Sequence, residues 1–226
     1  MNVNADFSQR AAEHAAELPW RPSPMPGVER RMLDRIGDEV ARATSLVRYA
    51  PNSAFSAHTH GGGEEFIVLD GVFQDEHGDY PAGSYVRNPP QSSHTPASDE
   101  GCTIFVKLWQ FDPADQAHVR LHIADVEAHS DPDRPDVQVR PLFRDSREEV
   151  RVETWAPDAD VEVAAEGGAE LFVLGGAFRE RGTAFGLHDW LRLPDGDRAR
   201  FSAGPDGAQV WIKTGHLRDA AAPAAG

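Results

Sequence analysis

The 226-residue chain has one cysteine, no long apolar run and no excess of basic residues. A single cysteine, Cys102, cannot close an intramolecular disulfide or a Cys-x-x-Cys site. It lies in the alternating run Cys102–Trp109, which marks it as a packed strand residue. No window approaches the ~18 apolar residues that a membrane helix requires. The opening Met1-Asn2-Val3-Asn4-Ala5-Asp6 lacks the apolar core of a signal peptide. A cytoplasmic location is therefore expected. Lysine and arginine number 22 against 37 aspartates and glutamates, for a net charge of −15. Such a surface repels phosphate backbones and anionic lipid, so neither nucleic acid nor membrane is an expected partner. Glycine-rich phosphate loops and a Ser-His-Asp arrangement are also missing from the sequence.

What the chain does have is turn formers, 20 glycines and 17 prolines, which favour a turn-rich β protein. Short β-like runs at Ala43–Tyr49, Glu65–Phe73, Ser84–Arg87 and Thr103–Phe111 are separated by clusters such as Ala50-Pro51-Asn52-Ser53. Residues 7–18, rich in Ala, Glu and Gln, suit a short helix that Asp6 or Ser8 caps and Pro19 stops. Trp20 to Gly27 follows as an extended, proline-rich arm.

The chain also repeats itself. Ala156-Pro157 echoes Ala50-Pro51, Gly167 to Phe178 echoes 62–73, Trp190 to Pro194 echoes Tyr85 to Pro89, and Trp211-Ile212-Lys213 echoes Phe105-Val106-Lys107. Four blocks in register at offsets of 105 or 106 residues mark a duplicated domain. The expected organisation is a helix and arm at 1–26, a first barrel at 27–128, a second at 129–219 and a loose tail at 220–226. The join falls in the Asp- and Pro-rich Ser130 to Asp136.

The most informative stretch is His58-Thr59-His60-Gly61-Gly62-Gly63-Glu64, with His94 about 30 residues later. Histidines two apart leave the same face of a strand. The glycines allow a sharp turn, and Glu64 then opens the next strand facing them. Three imidazoles and a carboxylate suit one divalent ion per chain, Zn2+ or Fe2+, with Mn2+ or Ni2+ also compatible. One carboxylate against a 2+ ion leaves a formal +1, which favours anionic or chelating oxygen ligands. At the repeat offset the four positions become Val163, Ala165, Ala169 and Ala199, so the second half is expected to hold no metal. Glu65 points to the opposite face and is a second-choice ligand. His118 and His122 sit on an alternating, strand-like pattern, too far apart to share an ion. Tyr49, Tyr85, Lys107 and Trp109 are candidates to line the barrel near the metal, and no catalytic residue is assigned.

His58, His60, Glu64 and Gly71, followed by Pro81, Gly83 and His94, resemble the two cupin motifs. The longer strings 61–83 and Asn88-Pro89-Pro90 through Lys107-Leu108-Trp109 are similar to the cupin domain of ChrR-type anti-sigma factors and its free-standing relatives, over roughly residues 20–112. The resemblance implies an all-β fold of two cupin barrels (double-stranded β-helices, or jelly rolls), a bicupin whose first half holds the metal. It suggests a small-molecule oxidoreductase of the cupin dioxygenase type, acting on a chelating diketone or hydroxyketone. The alternatives are a ChrR-like sensor or anti-sigma component, and a metal-dependent small-molecule binding module without turnover. Against the anti-sigma role, the family's His-x3-Cys-x2-Cys zinc motif has no counterpart here. The expected partner is a small molecule, with a homodimer left open.

Overall fold

A computed structural model describes residues 1–38, 40–218 and 220. All but the first residue of the tail expected at 220–226 lies outside the described residues. The chain divides into two compact units, Met1–Ala5 with Pro19–Ala124, and Asp6–Leu18 with Asp125–Ala220. Both are built from antiparallel strands, and no α-helix occurs among the described residues. No helix there is long and apolar enough to cross a membrane.

The first unit's main sheet runs Asn2–Val3, Val28–Gly37, Ala41–Tyr49, Cys102–Leu108, Glu64–Asp75, Ser84–Asn88, Val119–His122. The second runs His129–Ser130, Val137–Arg144, Glu149–Trp155, Asp197–Thr214, Ala169–Glu180, Trp190–Leu193, Ala11–Glu13. Over the first six strands the chain order is the same in both, so each unit is one copy of a jelly-roll sandwich; the seventh comes from the C-terminal side in the first unit and from the N-terminal segment in the second. The duplication extends to residue register. His58 sits opposite His94 in the first unit, and Val163 sits opposite Ala199 in the second. It also extends to close backbone approaches. Gly71 lies in left-handed backbone (φ 71°), where a Cβ would collide with the Gly101 carbonyl; Gly176 (φ 65°) repeats this against Gly207.

The strand Glu64–Asp75 begins with alternation that sorts two faces. Phe66 and Val68 join Val86, Ile104 and Val106 in the first unit's core. Glu65 and Ile67 face the other way and are also buried. The second unit's core is larger and continuous, from Val137 through Trp155, Leu171, Phe178 and Phe201 to Ile212.

Residues 7–18 do not form the expected helix. Ala11–Glu13 form an edge strand on Trp190–Leu193, and Ala15–Glu17 make a single 3-10 turn. Helix propensity is worth at most a few tenths of a kcal/mol per residue, and an isolated 12-residue helix is marginal in water. Tertiary anchors outweigh it. Arg10 bonds Glu180 at 2.6 Å and Asp197 at 2.5 Å, while Asp189 holds His14 Nδ1 at 2.9 Å and accepts the Ala15 N–H at 3.1 Å. The strand also covers an otherwise open sheet edge. In the first unit the matching edge, Ser84–Asn88, is covered by Val119–His122.

Candidate metal site

The site is assembled at one end of the first unit by three short-range devices. His58–Thr59 and Ser93–His94 form a two-stranded ladder that sets His58 directly across from His94. The three glycines then turn the chain beneath two aromatic rings. A Cβ on Gly61 would lie 2.6 Å from the Trp109 ring, and one on Gly63 (φ 78°) would lie 2.5 Å from the Phe111 ring. Glycine is therefore required for close approach as well as for turning. Glu64 emerges opposite Asn88 and on the same face as Phe66.

One donor atom from each of His58, His60, Glu64 and His94 lies within 4.8 Å of all the others. The imidazole centroids are 4.7–5.0 Å apart and the rings stand nearly edge-on. His60 Nε2 and His94 Nε2 lie 3.5 and 3.6 Å from the same oxygen, Glu64 Oε2. Both nitrogens are buried and neither has a hydrogen-bond partner. A buried polar atom left unsatisfied costs about 1–3 kcal/mol, so the arrangement is uneconomical unless a cation sits among the four. The donor set fits a divalent metal, and the four residues could hold one.

Neighbours orient these donors. His94 Nδ1 lies 3.2 Å from Asp75 Oδ2, and Asp75 also accepts the His77 N–H at 2.8 Å and the Tyr80 hydroxyl at 3.2 Å. Burial works against the Asp75 carboxylate, but the bonds from His94 and His77 outweigh it and hold it below the ordinary carboxylate range. For His94, burial pulls downward, yet the hydrogen bond to Asp75 and the charge of Glu64 raise it overall. For His60, burial dominates and lowers it, which keeps that ring neutral and able to donate a lone pair. Asn88 Nδ2 donates to Glu64 Oε2 at 3.2 Å. Neither Asp75 nor Asn88 stood out in the sequence. A carboxylate on a strand packed against a ligand histidine is the signal that would have found Asp75.

The other sequence candidates separate. Tyr49 does line the cavity beside His58, and burial together with the Glu64 charge pushes its phenol upward, so it stays a hydrogen-bond donor. Trp109 packs over Gly61 and Gly62. Tyr85 and Lys107 are on the opposite face. The Tyr85 hydroxyl donates to Glu65 at 2.5 Å, and Lys107 Nζ donates to Thr44 at 2.9 Å. Glu65 is thus engaged away from the cluster. The second unit has its own version of this buried pattern, with Glu170 accepting from Trp190 at 2.9 Å and Lys213 paired to Glu148 at 3.0 Å. His122 caps the Ala82 carbonyl at 3.0 Å, and His118 lies before that strand rather than in a metal cluster. Cys102 is buried, and burial pushes its thiol up to about 11. Val163, Ala165, Ala169 and Ala199 are packed into the second unit's apolar core.

Residues 8–112 match the family described as the ChrR Cupin-like domain. The chain has the bicupin fold, with a ChrR cupin-like domain at residues 8–112. Solved structures with the same fold include a candidate dioxygenase from Nostoc punctiforme, 13% identical with a TM-score of 0.71, covering all of this chain and 86% of that one. The nickel(II) complex of the bacterial pirin YhhW from Escherichia coli is 14% identical with a TM-score of 0.64, over 92% of this bicupin and 99% of the pirin. An oxalate decarboxylase variant from Bacillus subtilis is 12% identical with a TM-score of 0.63, over 94% and 78%. At such identities the likeness carries the fold alone. No curated protein matches this bicupin by sequence.

Proposed function

We propose that the chain is a metal-dependent oxidoreductase of the cupin dioxygenase type, acting on a compact substrate with two chelating oxygens, a diketone or hydroxyketone. The observation that carries this is the convergence of two buried, hydrogen-bond-free imidazole nitrogens on one Glu64 oxygen. It is joined by a cavity of about 170 Å3 that His58, the exposed member of the cluster, also lines. His58, His60, Glu64 and His94 would hold the ion, Fe2+ or Zn2+ before Mn2+ or Ni2+. When bound, it supplies Lewis acidity and, as iron, the one-electron chemistry that O2 requires.

The chain's own residues do the rest. Asp75 fixes the His94 ring so that Nε2 faces the cluster, and Asn88 holds the Glu64 carboxylate in place. Tyr49 offers a protonated hydroxyl to a substrate oxygen. Val47, Val106 and Leu108 give the cavity an apolar wall that limits water. Among the structural neighbours, one is described as a candidate dioxygenase and one is a nickel complex, and both share this fold.

The test is O2 consumption by iron-loaded protein with a panel of diketones and hydroxyketones, using His60→Ala as control. Uptake confined to the wild type supports the enzyme. Uptake no greater than the control across the panel would leave the binding module ahead. The ChrR cupin-like match favours a second, regulatory role. Micromolar capture of a sigma factor by the purified chain would shift the balance to it.

A further inference from the structure

The cavity beside His58 is not merely apolar. Two guanidinium groups, Arg30 and Arg35, line it together with Tyr49 and Ser45. Both belong to the strand Val28–Gly37, and they are five residues apart. On a regular strand an odd spacing sends two side chains to opposite faces. Here the register shifts between Met32 and Asp34, where the strand bulges. The cross-strand partners show the result. Arg30 pairs with Val47 and Arg35 with Ala43, and these partners are an even four apart and both line the cavity. The bulge therefore brings a second arginine to the face that carries the first. Bulges are over-represented next to active sites because they re-aim one side chain in this way.

Among the described residues neither arginine forms an ion pair, although the Asp38 carboxylate lies near enough to act on Arg35. Arg35 is buried, and its Nε and Nη2 groups go to the backbone carbonyls of Gly37 and Asp38. Burial lowers it from the usual arginine value and the charge of Arg30 lowers it further, with the Asp38 charge offsetting part of this. Across the sheet, the neighbour of Arg30 is another arginine, Arg21. Two like charges facing one cavity give its wall a positive side beside the four clustered donors. A guanidinium is matched in geometry to carboxylate oxygens.

We propose that this cavity takes a small organic acid, whose carboxylate Arg30 and Arg35 hold while its other oxygens face His58 and the remaining donors. The inference rests on the metal-dependent function above and narrows its substrate to a keto or hydroxyketo acid. At about 170 Å3 the cavity is smaller than the ~300 Å3 of ordinary ligand pockets, so the acid has roughly five to ten heavy atoms. The bulge fixes where the carboxylate sits, and the site thereby discriminates against neutral diketones.

Calorimetric titration of zinc-loaded protein without O2 tests this. Malonate and succinate are the charged probes and acetylacetone the neutral one. The wild type should bind a dicarboxylate at one per chain and more tightly than acetylacetone. Arg30→Gln and Arg35→Gln should each weaken it at least tenfold, Arg35→Lys less so, and the exposed Arg200→Gln not at all. A thermal melt identifies any variant that fails to fold, and Arg30→Gln, whose side chain anchors no backbone turn, then carries the test. Tighter binding of acetylacetone than of either acid, no binding of either acid, or acid affinity unchanged by Arg30→Gln would each overturn the inference. The dioxygenase function fails separately. Carboxylate binding that depends on Arg30, without O2 uptake by any substrate, removes the oxygenase and leaves the acid site. O2 uptake with neutral diketones that Arg30→Gln does not alter does the reverse.

Discussion

Replacing Asp75 by asparagine should weaken metal binding ten- to a hundredfold while leaving the fold intact. Asp75 is not itself one of the four proposed ligands. It lies behind His94, 3.2 Å from Nδ1, with a side chain only 1% exposed. For His94 to offer Nε2 to a cation, Nδ1 must carry the proton and donate it to Asp75. A carboxylate can only accept, so it enforces that tautomer. Asparagine is nearly isosteric but can present its NH2 instead, which favours the other tautomer and aims an N–H into the cluster. Even with its carbonyl turned to His94, it loses the negative charge that makes the ring a better donor. Partners of this kind typically contribute 10–100-fold in affinity, or about 1.4–2.7 kcal/mol. The hydrogen bonds from His77 N–H and Tyr80 hydroxyl can both be kept by the amide oxygen, and Tyr80 also bonds Arg120 at 3.0 Å. The assay is competition for Zn2+ against a chromogenic chelator, with metal content per chain by elemental analysis. Wild type should hold one equivalent, because the second unit has apolar residues at all four matching positions. His60→Ala should hold almost none. Affinity of Asp75→Asn equal to wild type would refute the orienting role, and two equivalents in the wild type would refute the single-site assignment.

Two further outcomes test the scaffold around the site and the N-terminal segment. Gly62→Ala should destabilise the chain by about 1–3 kcal/mol in denaturant melts, because its Cβ would lie 2.5 Å from Trp109 Cδ2 and 2.8 Å from Trp109 Cα. Gly186→Ala, whose Cβ meets nothing within 4 Å, should stay within about 0.5 kcal/mol, and equal effects of the two would discredit the close-approach reason. The hydrogen bond to Asp189 outweighs partial burial and raises His14 above the ordinary histidine value of 6.5. A group raised on folding contributes fully below its unfolded pKa and loses that contribution as pH climbs through the folded one. Hydrogen exchange of residues 11–17, corrected for intrinsic rate, should thus be slower at pH 6 than at pH 8. His14→Ala should abolish the difference, and a flat wild-type profile would count against the ion pair.

The clustering of His58, His60, Glu64 and His94 is legible in the sequence because motif and repeat both act at short range. His58-x-His60 fixes one strand face, the glycines fix a turn, and the repeat offset predicts which partner residue each position meets. The ladder pairing of His58 with His94, mirrored by Val163 with Ala199, is that offset in three dimensions. The N-terminal segment was misjudged for the opposite reason. Ala, Glu and Gln report local helix propensity, whereas Ala11–Glu13 are held by Trp190–Leu193, nearly 180 residues away. Nothing local announces that a distant sheet edge needs a cover. Lys107 and Tyr85 were misplaced because a strand buried on both faces gives no sign of which face is the site. Arg30 and Arg35 do not stand out in the sequence because strict alternation puts them on opposite faces, and a bulge is not visible in composition.

The two halves differ in how they use one end of the same β-sandwich. Each keeps the order of its first six strands, the paired glycines at Gly71 and Gly176, and the buried glutamate at 65 or 170. They part at the four donor positions. In the second unit, Val163, Ala165, Ala169 and Ala199 let the apolar core run without a break to the sheet end. In the first, the same volume is given to imidazoles, a carboxylate and a cavity, and the buried apolar cluster is smaller. Apolar side chains stabilise whenever they are buried, but buried donor atoms do so only when their lone pairs are satisfied. A site that must stay open to a small acid cannot be filled from within the protein. If the proposed cation and acid bind there, they would satisfy those donors and charges in place of the apolar packing that the second unit has.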